Sequence, residues 1–202
     1  MTLEPQTVAV VDDDDGVRKA LGRLLRAHGY NVRGYCSADD FLTNGSDYAG
    51  CMVLDVQMPG LDGLALQEEM QSRDIRLPII FITAHGDVPG SVRAMKRGAV
   101  DFLQKPFDEA DLLRAISIAI ERNDELRHQQ AERTDIESRV QRLTRREYEV
   151  FVRVIKGVLN KQVAAELGVT EKTIKAHRAR VMRKMEATSL AHLVRMAGRV
   201  GL

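Results

Sequence analysis

The sequence predicts an α/β domain built on a parallel sheet, followed by a small all-helical module. Three observations carry this. Short apolar runs alternate with helical patterns through residues 7–121, no strand pattern occurs in residues 143–202, and the two stretches are oppositely charged. Alternation of this kind requires crossover helices, and those cover a parallel sheet on both faces.

The elements follow in order. Val8, Ala9, Val10 and Val11 form an apolar strand that ends in Asp12, Asp13, Asp14 and Asp15. Val17, Leu21, Leu24, Leu25 and His28 then recur at helical spacing, and Gly29 supplies a stop. Residues 31–35 read as a short edge strand and 38–42 as part of a second helix opened by Ser37. The third strand runs from Cys51 to Asp55, and the turn Met58-Pro59-Gly60 leads to a helix over 63–72. A strand over 78–83, a helix over 89–97, a strand over 100–104 and a helix from Asp108 onward complete five βα units.

Charge divides the chain. Residues 1–120 carry 12 Lys+Arg against 18 Asp+Glu, while residues 143–202 carry 13 against 5. A carboxylate-rich site in front and a polyanion-binding module behind would produce this split. Cys36 and Cys51 form no Cys-x-x-Cys pair and read as reduced core thiols. No apolar stretch approaches the ~20 residues of a membrane span, and residues 1–7 lack signal-peptide character. A soluble, cytoplasmic protein without a membrane partner is expected. No Gly-x-x-x-x-Gly-Lys-Ser/Thr loop occurs, which argues against an ATP-driven activator.

In open α/β sheets, ligands bind at the carboxyl ends of the strands. Asp12 and Asp13, Asp55, Thr83 and Lys105 all fall at such ends. Acids, a hydroxyl and an ammonium gathered there suit a divalent cation and a phosphoryl group. Asp55, alone on a rigid strand end, suits a nucleophile.

These residues resemble the receiver domains of bacterial two-component response regulators. The acidic pair after the first strand, Asp55-Val56-Gln57-Met58-Pro59 with Gly63, Thr83 and Lys105-Pro106 match the family in order. Residues 83–89 and 94–103 look like its FixJ-type branch. The resemblance implies a flavodoxin-like strand order and phosphorylation of Asp55 by a sensor histidine kinase. It implies Mg²⁺ on Asp13, Asp55 and the backbone carbonyl of Gln57, with Asp12 holding a metal-bound water. Thr83 and Lys105 would contact phosphoryl oxygens, a cis Lys105–Pro106 bond would aim the ammonium, and Thr83 with Phe102 would form the switch. Asp14 and Asp15 read instead as the cap and first turn of the next helix. His85 and Asp87 lie beside the site and receive no catalytic role.

Residues 121–142 are charged, rich in Gln and Arg, and free of Gly and Pro. They read as a helical linker with a break expected near Arg133-Thr134, a flexible charged tether being the alternative. The expected division is a receiver over 1–121, a linker over 122–142 and an output domain over 143–202.

In the last segment Thr144 and Glu147 form a capping box, with Tyr148, Phe151, Val152 and Ile155 expected on the inner side. A short helix from Asn160, a turn at Gly168 and a cap at Thr170 lead into a second helix, which is the helix–turn–helix arrangement. On that second helix Ile174, Val181 and Met185 face inward, while Lys172, Ala176, Ala179 and Arg183, flanked by Lys175 and Arg180, face outward. Small residues between cations suit a major groove. Lys161, Thr170, Lys172, Thr173, Lys175, Ala176, Arg178, Arg180 and Arg183 are the candidate DNA contacts. The module resembles LuxR/FixJ-type four-helix output domains, though Ala179 stands where some relatives carry a cation. Its fourth helix, 189–196, presents Leu190, Leu193, Val194 and Ala197 for core packing or a dimer contact.

The expected protein is a transcriptional regulator, not an enzyme beyond its own phosphorylation and dephosphorylation. Its expected partners are a sensor histidine kinase, double-stranded promoter DNA, RNA polymerase and, once phosphorylated, a second copy. Two other readings remain at this point. One is an aspartate-nucleophile phosphatase of the haloacid-dehalogenase type using Asp12. The other is a receiver-like protein that contacts DNA without phosphorylation.

Overall fold

The computed structural model describes residues 6–45, 50–84 and 88–202. His85 and Asp87 therefore lie outside the described residues. The chain forms two compact units, residues 1–126 and 127–202.

The first unit is a five-stranded sheet in the order β2-β1-β3-β4-β5, with every pairing parallel. Its strands are β1 (Thr7–Val11), β2 (Asn31–Tyr35), β3 (Cys51–Asp55), β4 (Ile79–Thr83) and β5 (Asp101–Gln104). The intervening helices are α1 (Asp15–Ala27), α2 (Ala38–Asn44), α3 (Gly63–Ser72) and α4 (Val88–Lys96). Successive side chains of a strand point to opposite faces, so β1 feeds two cores. Ala9 and Val11 pack with Met52, Leu54, Phe81, Leu66 and Met70 on one side. Val8 and Val10 pack with Val53, Ile80, Ile82, Leu25 and Ile116 on the other. Both faces of β3 and β4 are buried, which is why their sequences are continuous apolar runs.

Helix ends follow local chemistry. Asp14 caps α1, accepting from the N–H groups of Gly16 and Val17, and Ser37 and Asp62 cap α2 and α3. Gly63 opens α3 against the end of β3: a Cβ there would lie 2.3 Å from the Asp55 carbonyl oxygen, so only glycine permits the approach.

Helix α5 spans Glu109–Gln141 without interruption. The break expected at Arg133-Thr134 does not occur, because nothing there removes a backbone donor and Arg133 pairs with Glu137 one turn on at 2.9 Å. The cysteines divide: Cys51 is buried in β3, whereas Cys36 is exposed. Cys36 lies just past the end of edge strand β2, where its N–H donates to Asp40, so the expectation of two core thiols is corrected.

The second unit contains α6 (Arg145–Ile155), α7 (Asn160–Leu167), α8 (Glu171–Lys184) and α9 (Leu190–Arg199). Its core joins Val150, Phe151, Val154, Ile174, Val181, Met185 and Leu193, and it takes in Ile136 of α5. The inner face of α6 is Glu147, Val150, Phe151 and Val154, a strict i, i+3, i+4, i+7 stripe. Tyr148 is thus exposed, one position off the stripe, and rests its ring 6.1 Å from Phe151. Val152 and Ile155 are only partly buried at the margin.

Candidate functional site

Asp12 follows β1 and Asp55 ends β3, and these strands are neighbours in the sheet. The order β2-β1-β3 places them where the connections change direction, the position at which such sheets form a crevice. Lys105 follows β5 and reaches both acids: its Nζ donates to Asp55 Oδ1 at 2.8 Å and to Asp12 Oδ2 at 2.9 Å. The Lys105–Pro106 peptide bond is cis. The remaining carboxylate oxygens are occupied from the backbone, Asp12 Oδ1 by the Asp14 N–H and Asp55 Oδ2 by the Gln57 N–H, each at 2.8 Å.

Both acids are almost wholly shielded from solvent, Asp12 at 1% and Asp55 at 5% exposure. Burial pushes the Asp55 carboxyl above the usual range, against the hydrogen bond and charge of Lys105, and the Asp12 charge adds to the rise. Burial acts to lower Lys105, but its bonds to Asp12 and Asp55 hold it above the ordinary lysine value.

Thr83 is fully buried at the end of β4, and its carbonyl accepts from the Lys105 N–H at 2.7 Å. Phe102 is partly buried on β5, with its ring 6.0 Å from that of Phe81. Asp13 and Gln57 are exposed. Asp12, Asp13 and Asp55 against Lys105 leave an excess of negative charge on hard oxygen donors, and that donor set fits Mg²⁺. Among the described residues no three His, Cys, Asp or Glu groups stand gathered as a metal cage; the ammonium holds two of the acids instead.

The second unit presents a different surface. Gly168, at φ +65°, closes α7 in the left-handed region, and Thr170 caps α8 by accepting from the Thr173 N–H. Ile174, Val181 and Met185 are buried as expected. Lys172, Lys175, Ala176, Ala179, Arg180 and Arg183 are all exposed, as is Lys161 on α7. Arg178 is half-buried and donates to Asn160 at 3.3 Å, which places it on the inner edge of the helix. On α9, Leu193 and Ala197 are buried, while Leu190 and Val194 are exposed.

Sequence reasoning finds the Thr144–Glu147 box but misses the partner that completes it. Lys184 Nζ lies 2.6 Å from Glu147 Oε2, and it also donates to the Arg142 carbonyl. Burial opposes the Glu147 charge, but the Lys184 hydrogen bond and the Thr144 N–H and hydroxyl outweigh it and pull the carboxyl down to about 2. No spacing rule links residues 37 apart. Arg139 is a second omission, bonded to the Met185 carbonyl and paired with Asp135 and Glu186.

Comparison with known proteins defines the class. The family model for the response regulator receiver domain matches residues 8–117, and that for bacterial regulatory proteins of the luxR family matches residues 141–197. The chain belongs to the response regulators that join a receiver domain to a LuxR-family DNA-binding domain, and it is a transcriptional regulator of that type. It is similar to nodulation protein W of Bradyrhizobium diazoefficiens, with 47% identity over 196 residues covering 96% of this chain and 86% of that protein. Transcriptional regulatory protein FixJ of Azorhizobium caulinodans is 43% identical over 195 residues, covering 96% and 92%. Among solved structures, response regulator StyR matches with a TM-score of 0.85 at 44% identity, covering 98% of this chain and all of that one. No helix among the described residues is long and apolar enough to cross a membrane.

Proposed function

We propose that this protein accepts a phosphoryl group on Asp55 from the phosphohistidine of a sensor kinase and thereby controls its binding to promoter DNA. The convergence of Lys105 on Asp55 and Asp12 at neighbouring strand ends carries the reading. An Asp55 oxygen attacks phosphorus, the P–N bond breaks, and its electron pair returns to the imidazole of the kinase. Mg²⁺ bound by Asp13, Asp55 and the Gln57 carbonyl, with Asp12 on a bound water, would neutralise charge on the phosphoryl oxygens. Lys105 turns from the carboxylates toward the incoming group, and the Thr83 hydroxyl donates to it.

The switch follows from Thr83 at the end of β4 and Phe102 within β5. Val92 and Met95 on α4 and Ile118 on α5 are exposed apolar side chains on the receiver, and they support a dimerising surface there. Dimerisation pairs two output domains on a two-fold DNA site. One phosphoryl group with dimer contacts must supply ~5 kcal/mol to shift the population from mostly off to mostly on. Lys161, Thr170, Lys172, Thr173, Lys175, Ala176, Arg178, Arg180 and Arg183 form the DNA surface, with Arg178 acting mainly through Asn160. The working division is receiver 1–121, linker 122–142 and output domain 143–202, in a cytoplasmic protein whose further partner is RNA polymerase.

The test is site mapping after exposure to a small phosphodonor with Mg²⁺, comparing wild type, Asp55→Asn and Asp12→Asn by intact mass and peptide analysis. One phosphoryl group on Asp55, absent from Asp55→Asn, is the expected result. Modification of Asp12 would make the protein a phosphatase-type enzyme, and no modification would leave a DNA-binding protein under other control.

A further inference from the structure

Helix α8 carries most of the proposed DNA surface, and its C-terminal end is held by the last turns of α5, within the second unit. An α-helix ends in carbonyl groups that have no partner inside the helix, and a cation placed there satisfies them and offsets the helix dipole. At the end of α8 that cation comes from α5. Arg139 Nη1 donates to the carbonyl of Met185, the C-cap of α8, at 3.0 Å. At the end of α5 it comes from α8, where Lys184 Nζ donates to the carbonyl of Arg142, just past the helix, at 3.0 Å. The two helices end against each other, and each supplies the cation that caps the other.

This clamp is fixed from both sides. Arg139 Nη2 lies 2.8 Å from Asp135 Oδ2, one turn back on α5, and 3.0 Å from Glu186 Oε2, just past α8. The first pair holds the guanidinium in place. The second orients Glu186, whose φ of +53° puts the chain in the left-handed region as it leaves α8. Ile136, on the same side of α5, is buried in the core that also takes in Met185. The Arg139 side chain is itself only 19% exposed. With two carboxylates on one guanidinium, Arg139 has no spare charge to offer a DNA phosphate.

We infer that Arg139 is a positioning residue for sequence-specific DNA binding: by capping α8 from α5, it holds the C-terminal half of α8, with Arg180 and Arg183, at the angle that reads a site. This rests on the DNA-binding role proposed above for α8. Base edges are read by directional hydrogen bonds, whereas attraction to phosphates is sequence-independent and tolerates a displaced helix. Loss of the clamp therefore strikes specificity and spares general affinity for DNA.

The experiment first selects a binding sequence from a random duplex library, using full-length wild-type protein treated with a small phosphodonor and Mg²⁺. Fluorescence anisotropy over a salt series then gives the Kd of each variant for the selected duplex and for its scrambled version, well below the unfolding midpoint of each. Arg139→Met, which keeps the apolar stem, should bind the selected duplex about tenfold more weakly, the scale of one charge-assisted hydrogen bond. Its affinity for the scrambled duplex and its salt slope should not change. Arg139→Lys, which retains a charged donor, should recover part of the specificity. Lys172→Ala, for comparison, should weaken both duplexes and lower the slope. Hydrogen exchange adds a readout without DNA. The amides of Met185, Glu186 and Ala187, which bond back to carbonyls of α8, should exchange faster in Arg139→Met, while that of Ile174 should not. Wild-type affinity of Arg139→Met for the selected duplex would leave Arg139 a stabilising role alone and overturn the inference. Equal weakening on both duplexes, the mark of a direct phosphate contact, would overturn it too. If selection enriches no sequence, the DNA-binding reading fails, and the exchange data still decide the clamp: unaltered rates at residues 185–187 overturn it.

Discussion

Lys105 Nζ and Asp55 Oδ1 lie 2.8 Å apart across 50 residues of sequence, and the same ammonium also holds Asp12. One cation thus serves two buried acids. The raised Asp55 pKa has this origin: burial and the Asp12 charge exceed what a shared ammonium offsets.

Asp55→Asn is therefore expected to stabilise the receiver. A carboxyl whose folded pKa is raised contributes stability below that pKa and loses it as pH rises through it, so at neutral pH the charge is a cost. Removing the charge should therefore raise the unfolding midpoint. Urea unfolding at pH 7 checks this, and a lower midpoint in the variant would show that the Lys105 pair outweighs the burial cost.

Lys105→Met should do the opposite. It leaves Asp12 and Asp55 facing each other without a cation, at a cost of about 2–3 kcal/mol. Mg²⁺ should then raise the thermal midpoint of the variant more than that of wild type, because a ligand of the native state stabilises it by mass action. Equal responses of the two proteins to Mg²⁺ would argue against these acids as its site.

Glu147 gives the output domain an acid limit. Its folded pKa of about 2 lies below the ordinary value of 4.5, so its contribution is complete above about pH 4.5 and is lost as pH falls toward 2. Unfolding of residues 127–202 should steepen in that window. Glu147→Gln and Lys184→Met should both remove the steepening, and both should destabilise the domain at pH 7. Far-ultraviolet circular dichroism against pH reads all three proteins.

The α8 surface makes a prediction about salt. Alanine at Lys172, Lys175, Arg180 or Arg183 should weaken DNA binding, and removing one phosphate-binding cation should lower the salt slope by about 1. Ala179→Glu should abolish binding by placing a carboxylate between the cations. Arg178→Ala should lower stability as well as affinity, since Arg178 is tied to Asn160. Fluorescence anisotropy over a salt series separates the two kinds of effect.

Much of the fold is legible in the sequence because it depends on short-range pattern. The five βα units, the caps at Asp14, Ser37 and Thr144, the turn at Gly168 and the buried face of α8 all follow from spacings of seven residues or fewer. Sequence and structure part where a pattern is marginal. Tyr148, Phe151, Val152 and Ile155 have the same i, i+3, i+4, i+7 spacing as Glu147, Val150, Phe151 and Val154, and the second set is the one buried, with Glu147 held there by the Thr144 N–H and by Lys184. Cys36 reads in the sequence as a core thiol, yet it lies past the end of β2 and is exposed. Ile136 and Val140 do carry a signal, since they stand at i, i+4 with Leu143 three residues on; they pack in the second core rather than on an isolated linker.

By itself the sequence determined which chemistry is present and where along the chain it falls: acids after the first and third strands, a hydroxyl after the fourth, an ammonium after the fifth, and a basic helical module behind. These are local properties, set by side-chain periodicity and backbone capping. Tertiary structure alone decided which groups meet. That Lys105 reaches Asp12 across 93 residues, that Lys184 closes the Glu147 cap, and that Gln67 is buried and donates to the Ala94 carbonyl all depend on strand order and helix packing. The physical reason is that contact between distant residues is fixed by the packing of whole elements, which no single segment encodes.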